Sequence, residues 1–118
     1  MKYVKTRDGK VFAKITWTIN GEKIIGAIGM YDLYQECDIE KEADNIEELC
    51  DEFVVEYFNK ELNWINHENF NNLDTAKEMY EIVINNNRKN PIIYGAIWTN
   101  KGLIYVAKMN NKGELELI

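Results

Sequence analysis

Residues 10–31 read KVFAKITWTINGEKIIGAIGMY. The first half alternates: Val11, Ala13, Ile15, Trp17 and Ile19 are apolar, and Lys14, Thr16 and Thr18 fall between them. A period of two puts the apolar set on one side of a strand and the polar set on the other. Asn20-Gly21 then interrupts the pattern with the dipeptide that best tolerates the positive φ angles of a type I′ turn. A two-residue turn pairs Ile19 with Glu22, Trp17 with Ile24, Ala13 with Ile28 and Val11 with Met30. The apolar faces of the two strands coincide in that register, as a half-buried hairpin requires. Asp8-Gly9 supplies an earlier turn, so residues 2–7 are expected as a first strand and 1–31 as a three-stranded meander.

Beyond this stretch the period changes. Ile46, Leu49, Cys50 and Phe53 recur at helical spacing, and Tyr57 extends the stripe. Asp44 and Glu47 have the spacing of an N-cap and its reciprocal partner. A helix is expected from residue 44 to about 58, with a strand starting at Phe53-Val54-Val55 as the alternative. Residues 63–74 are rich in Asn and weakly patterned, so a loop is expected. Thr75 and Glu78 have capping-box spacing, and Ala76, Met79, Tyr80 and Val83 form a second stripe, ending at the Asn run 85–87 before Pro91. Strands at 92–98, 103–109 and 114–118, with turns at 100–102 and 110–113, make a second meander. The expectation is one α+β domain over residues 1–118: two three-stranded antiparallel meanders forming a mainly antiparallel sheet, with two helices between them.

The net charge of −6 is unevenly spread. Residues 1–31 hold six Lys and Arg against two acids, +4; residues 32–61 hold twelve acids against Lys41 and Lys60, −10. Nucleic acid is bound by neutralising phosphates with basic side chains, which a chain of this charge opposes. The plain reading of the acids is solvation. The functional reading is that they imitate the phosphates of nucleic acid and dock on a basic protein surface. The residues that would carry such contacts are Glu36, Asp38, Glu40, Glu42, Glu47, Glu48, Asp51, Glu52 and Glu56. Tyr31, Tyr34, Tyr57 and Trp64 are the candidate anchors, because interface energy concentrates in a few aromatic side chains. Glu47, Glu48, Asp51 and Glu52 would lie together on the exposed side of the first helix.

Other chemistries find little support. There is no serine, and His67 is the only histidine; a lone His in WINHEN reads as a surface loop residue, and no signature supports a pair with Cys37 or Cys50. The alternation Asp38, Glu40, Glu42, Asp44 imitates an EF-hand loop, yet Ala43 stands where glycine is required and Leu49 where a bidentate acid is required. No phosphate-binding glycine pattern occurs. No enzyme activity, metal or cofactor is expected. No apolar run of membrane-spanning length and no leader-like h-region is read in the chain, so a cytoplasmic protein with two reduced thiols is expected.

Two stretches, EADNIEELCDEF (42–53) and YGAIWTNKGLIYVAKMNNKGELELI (94–118), resemble short accessory proteins carried by phages and prophages of low-GC Gram-positive bacteria. The resemblance implies the cytoplasm of a bacterial host and action by binding host machinery, CRISPR nucleases and other defence proteins among them. The leading expectation is therefore an inhibitor of a host nucleic-acid-binding or defence protein. The alternatives are a small-molecule or nucleotide-sequestering domain and a virion or assembly component.

Overall fold

Asn20 and Gly21 take positive φ angles of 51° and 81°, and the strands on either side pair as the turn dictates, Ile19 with Glu22 and Trp17 with Ile24. The structure, a computed structural model, describes residues 2–86 and 89–118. The chain forms two compact units, Met1–Leu49 and Cys50–Ile118.

In the first unit the strands are β1 (Tyr3–Thr6), β2 (Val11–Ala13), β3 (Ile15–Ile19), β4 (Glu22–Gly26) and β5 (Ile39–Ala43). The expected meander is not formed as one sheet. β4 ends at Gly26, because residues 27–30 turn back on themselves with the Met30 amide bonded to the Ala27 carbonyl. Val11 and Ala13 are thus denied Met30 and Ile28, and pair instead with Lys5 and Tyr3 of β1. The sheets are β2-β1-β5 and the separate hairpin β3-β4. Val4, Phe12, Ile25 and Tyr34 make the core, flanked by Ala27, Met30 and Ile39. The Phe12 and Tyr34 rings stack with centroids 5.8 Å apart.

The second unit contains β6 (Glu52–Asn59), β7 (Trp64–Phe70), α1 (Leu73–Asn85), β8 (Lys89–Thr99), β9 (Gly102–Met109) and β10 (Leu115–Leu117). Its sheet runs β10-β9-β8-β6-β7, each neighbouring pair antiparallel. The C-terminal meander is present as β8-β9-β10, extended by a hairpin that the local pattern concealed. The expected helix over 44–58 is replaced by one 3-10 turn at Ile46–Leu49 and the strand β6. β6 is a central strand, and Phe53, Val54 and Val55 are all buried. It has a strand on either side, and its β-branched and aromatic run outweighs the helical spacing. The expected loop at 63–74 is mostly β7, which pairs with β6 residue for residue from Phe70 to Trp64. One long helix remains among the described residues, α1. Its cap is Asn72, whose Oδ1 accepts from the amides of Asp74 (2.7 Å) and Thr75 (3.4 Å), in place of the expected Thr75–Glu78 box. Ala76 and Val83 of the expected stripe are buried. Asn87, to which the helix end was extended, lies outside the described residues. No helix among the described residues is long and apolar enough to cross a membrane.

Register separates the two sides of the five-stranded sheet. Phe53, Val55 and Tyr57 share one side with Ile93, Gly95, Ile97, Ala107 and Leu115, and all are buried. This is the side covered by α1, which packs on β6, β7 and β8 and sets Tyr80 beside Ile93 and Met109. Gly95 is required there: a Cβ would stand 2.7 Å from the Cys50 Sγ. The other side has no helix of this unit upon it.

Candidate functional site

The acidic run of the first unit turns out to be a ladder of ion pairs. Lys2 meets Asp44 at 2.8 Å, Lys5 meets Glu40 at 3.3 Å, Lys14 meets Glu42 at 2.9 Å and Lys23 meets Glu36 at 2.6 Å, while Lys10 bonds Asp32. The basic strands of residues 1–31 are therefore the counterions of the acids at 32–44. Lys23 holds the Glu36 carboxyl below the usual range, and Lys2 does the same to Asp44. Asp38 accepts from the Gln35 amide at 2.9 Å, and Glu48 from the Asn45 amide at 3.4 Å. Asp44 is an ion-pair partner and not the cap of a long helix. The EF-hand alternation resolves into carboxylates that each serve a different lysine or amide. No three His, Cys, Asp or Glu side chains among the described residues are grouped to hold a metal ion. Tyr34 is a core residue whose hydroxyl donates to Asp8 at 3.0 Å, and burial, ahead of that bond, raises its pKa. Tyr31 is fully exposed.

The four acids expected on one helix face are not on one. Glu47 and Glu48 sit in the short turn of the first unit, whereas Asp51 and Glu52 open the second. Asp51 Oδ2 accepts the Trp98 backbone N–H at 2.8 Å, and Glu52 Oε1 accepts the Trp98 indole N–H at 2.8 Å. Glu52 Oε2 takes the Asn69 side-chain amide at 2.7 Å. The Asp51 N–H bonds the Ala96 carbonyl at 2.8 Å. Residues 50–52 are thus fastened to 95–98 by a packed thiol and three hydrogen bonds. Tyr57 is buried, its hydroxyl accepting from the Asn66 amide at 3.4 Å, and so offers no anchor. Trp64 is 57% exposed at the outer strand of the sheet.

The side of the sheet without a helix, its uncovered side, carries Ile65, Trp98 and Tyr105 of the second unit's exposed apolar side chains, while Val54 and Ala96 on the same side are buried. Register places Ile65, Phe58, Ile92, Tyr94, Trp98 and Tyr105 there, with Glu52, Glu56, His67, Asn69 and Lys108 among them. Ile65 and Trp98 are each 54% exposed and Tyr105 is 41% exposed. Tyr94 and Tyr105 lie with ring centroids 4.8 Å apart. Burial, then the charge of Glu56, raises the Tyr94 pKa. His67, expected in a loop, stands on β7 directly opposite Glu56, Nδ1 to Oε2 3.7 Å. Cys50 lies on the covered side against Gly95, so the two cannot act as a catalytic pair. Neither cysteine is in a disulfide.

Ile65, Tyr94, Trp98 and Tyr105 were not singled out from the sequence. The signal was present in β8, where Ile92, Tyr94, Ala96 and Trp98 alternate with Ile93, Gly95 and Ile97. Both sides of that strand are apolar, and a single helix can cover only one. No family model, curated protein or solved structure matches the chain.

Proposed function

We propose that the protein is a non-enzymatic binding protein, of the accessory type carried by phages and prophages, that associates in the bacterial cytoplasm with a host nucleic-acid-binding or defence protein and inhibits it. The observation that supports this reading is the uncovered side of the second unit's sheet. Aromatic and aliphatic side chains sit exposed there beside the carboxylates of Glu52 and Glu56. Exposed apolar surface of this kind marks interaction sites, and Trp and Tyr are the side chains that anchor them. Of the two carboxylates, that of Glu56 suits a partner whose own surface is basic, as the surface of a nucleic-acid-binding protein is, since both oxygens of Glu52 are taken by Trp98 and Asn69. This moves the binding surface away from the acids at 36–48, most of which already have partners in their own unit.

The test begins with capture from host extract, identification of the retained protein, and titration of that purified protein. Ile65→Ser/Tyr105→Ser is expected to weaken binding about tenfold or more. Glu36→Gln/Glu42→Gln is expected to leave binding unchanged. Equal binding by the Ile65/Tyr105 variant would refute the surface. A second reading, sequestration of a small anionic molecule such as a nucleotide, is favoured by a cleft of about 400 Å³ lined by Tyr80, Pro91, Ile93, Lys108, Met109 and Asn110. It would replace the first if no protein is retained and nucleotides raise the melting temperature.

A further inference from the structure

The acids at 36–44 meet lysines or an amide, and Asp51, Glu52 and Glu116 accept from N–H groups. Glu56 is placed differently. It sits on the central strand β6, on the uncovered side, with His67 opposite on β7 and Ile92 opposite on β8. Its side chain is 24% exposed, and the His67 Nδ1 at 3.7 Å is too far from Oε2 for a hydrogen bond. No hydrogen bond reaches its carboxylate among the described residues. Water can reach it, and so can an incoming group.

One strand further on stand two phenol rings. Tyr94 of β8 lies diagonally across from Glu56, and after burial it is the Glu56 charge that raises its pKa. Tyr105 of β9 is 41% exposed and holds its ring centroid 4.8 Å from that of Tyr94, with the planes tilted by 36°. Lys108, opposite Tyr94, has Glu116 on its far side, so the charge there is balanced. The charge left over is that of Glu56.

We infer that the partner enters here with an arginine, its guanidinium paired with Glu56 and its flat face against the rings of Tyr94 and Tyr105. This rests on the binding reading above and names the side chain that the partner must supply. A partner that covered Glu56 with apolar groups would strip water from a carboxylate and give it no donor, which is costly. A lysine would bring charge, but its ammonium is compact and strongly hydrated. A guanidinium offers a planar fork of N–H donors that fits a carboxylate, and its weakly hydrated faces stack on aromatic rings. A carboxylate and a ring pair side by side ask for both properties at once. Arginine is also a side chain with which nucleic-acid-binding proteins meet phosphates, so such a partner presents it on its surface.

Calorimetric titration of the full chain with hexa-arginine and with hexa-lysine tests the inference, at about pH 8, where a histidine of ordinary pKa is neutral. Hexa-arginine is expected to bind about fivefold more tightly or better, the gain of stacking on the rings. Glu56→Gln should weaken the binding of hexa-arginine about tenfold. Tyr94→Leu/Tyr105→Leu keeps the surface apolar without rings and should bring the two peptides to equal affinity; if that variant does not fold, Tyr105→Leu alone should narrow the gap. Thermal melting and circular dichroism verify that each variant is folded. Glu36→Gln/Glu42→Gln should leave the arginine preference as it is. Equal affinity of the wild type for the two peptides, or an arginine preference that survives Glu56→Gln or the loss of the rings in full, would overturn the inference. The host protein retained by capture separates this outcome from failure of the binding reading. If Ile65→Ser/Tyr105→Ser weakens its binding and Glu56→Gln does not, the surface stands and the arginine is refuted; if neither does, the surface itself is refuted.

Discussion

The two units carry the same charge and use it differently. Residues 1–49 hold seven basic and ten acidic side chains, and residues 50–118 again hold seven and ten, so each is −3. In the first unit the acids at 32–44 meet lysines of residues 2–23, in pairs whose side chains are mostly well exposed. Such pairs are individually weak, because water screens both ions and ordering two long side chains costs entropy. In the second unit Asp51 and Glu52 are acceptors for a backbone amide, an indole and a carboxamide. Those bonds fix where β6 begins against β8. A contrast of +4 and −10 along the chain thus becomes neutralisation within one unit and chain fastening in the other, and neither is a continuous acidic surface.

The largest effect expected from this contrast lies at Gly95. A methyl group there would collide with the Cys50 sulfur at 2.7 Å, and with Ala107 and Leu115 at 3.4 Å. Gly95→Ala should destabilise the protein by about 1–3 kcal/mol through overpacking. Cys50→Ala removes the nearest obstacle, so the double variant should be less destabilised than the two single effects added, by about 0.5 kcal/mol or more. Strict additivity in chemical denaturation would show that the thiol does not occupy the space which the glycine leaves.

The difference in how carboxylates are used can be measured directly. Asp51→Ala deprives the Trp98 amide of its acceptor and should cost about 1 kcal/mol. Glu42→Gln ends one partly exposed pairing with Lys14 and should change stability by less than about 1 kcal/mol. Raised salt should weaken the wild type's first-unit pairs and leave the Asp51 effect nearly constant. If the Glu42 variant proved the more damaging, the description of the first unit's acids as weakly coupled surface pairs would be wrong.

Local signals read the sequence well where a turn or a stripe decides the outcome. Asn20-Gly21 set the register of its hairpin, and Ala76 and Val83 marked the buried side of α1. The C-terminal strands followed from their turns, at Gly102 and Gly113, both with positive φ. The failures share a cause. Residues 52–59 are flanked by β7 on one side and by β8 on the other, and pairing partners distant along the chain decide between strand and helix when the local spacing permits both. In β7 the Asn, His and Glu at 66–69 interrupt the Trp, Ile and Phe that would signal a strand. Its assignment comes from β6 alone. The acids at 36–48 were identified correctly as a cluster in sequence, but charge sums along a chain do not register which lysines return to meet them. The uncovered apolar side of the sheet required counting helices against apolar strand faces, and that count was wrong while residues 44–58 were expected to be helical.

The smallest effect concerns the turn that closes β1 on β2, and it sharpens the picture of the first unit. Thr6 is buried; its hydroxyl bonds Asp8 and receives the Lys10 amide at 2.9 Å, while the Tyr34 hydroxyl donates to Asp8. The Thr6 bond, then that of Tyr34 and the charge of Lys10, hold the Asp8 carboxyl below its ordinary value of 3.8. A carboxyl depressed in the folded state contributes stability above its unfolded pKa and loses it as pH falls through the folded one. Tyr34 acts at the other end. Its pKa is raised above 10.0 by burial and by Asp8, so its contribution is present below that pH and is lost as pH rises through the elevated value. Asp8→Asn should therefore flatten the acid limb of the stability profile and reduce the loss at alkaline pH, because the phenol no longer faces a carboxylate. Tyr34→Phe should remove most of the alkaline loss that comes from this group and leave much of the acid limb, since the largest contribution to the Asp8 shift is the Thr6 bond. Thermal melts of both variants between about pH 2 and 11 test this, over the range in which carboxyl and phenol groups titrate. An unaltered acid limb in Asp8→Asn would assign the acid sensitivity to the exposed lysine pairs instead, and would make those pairs stronger than their exposure allows.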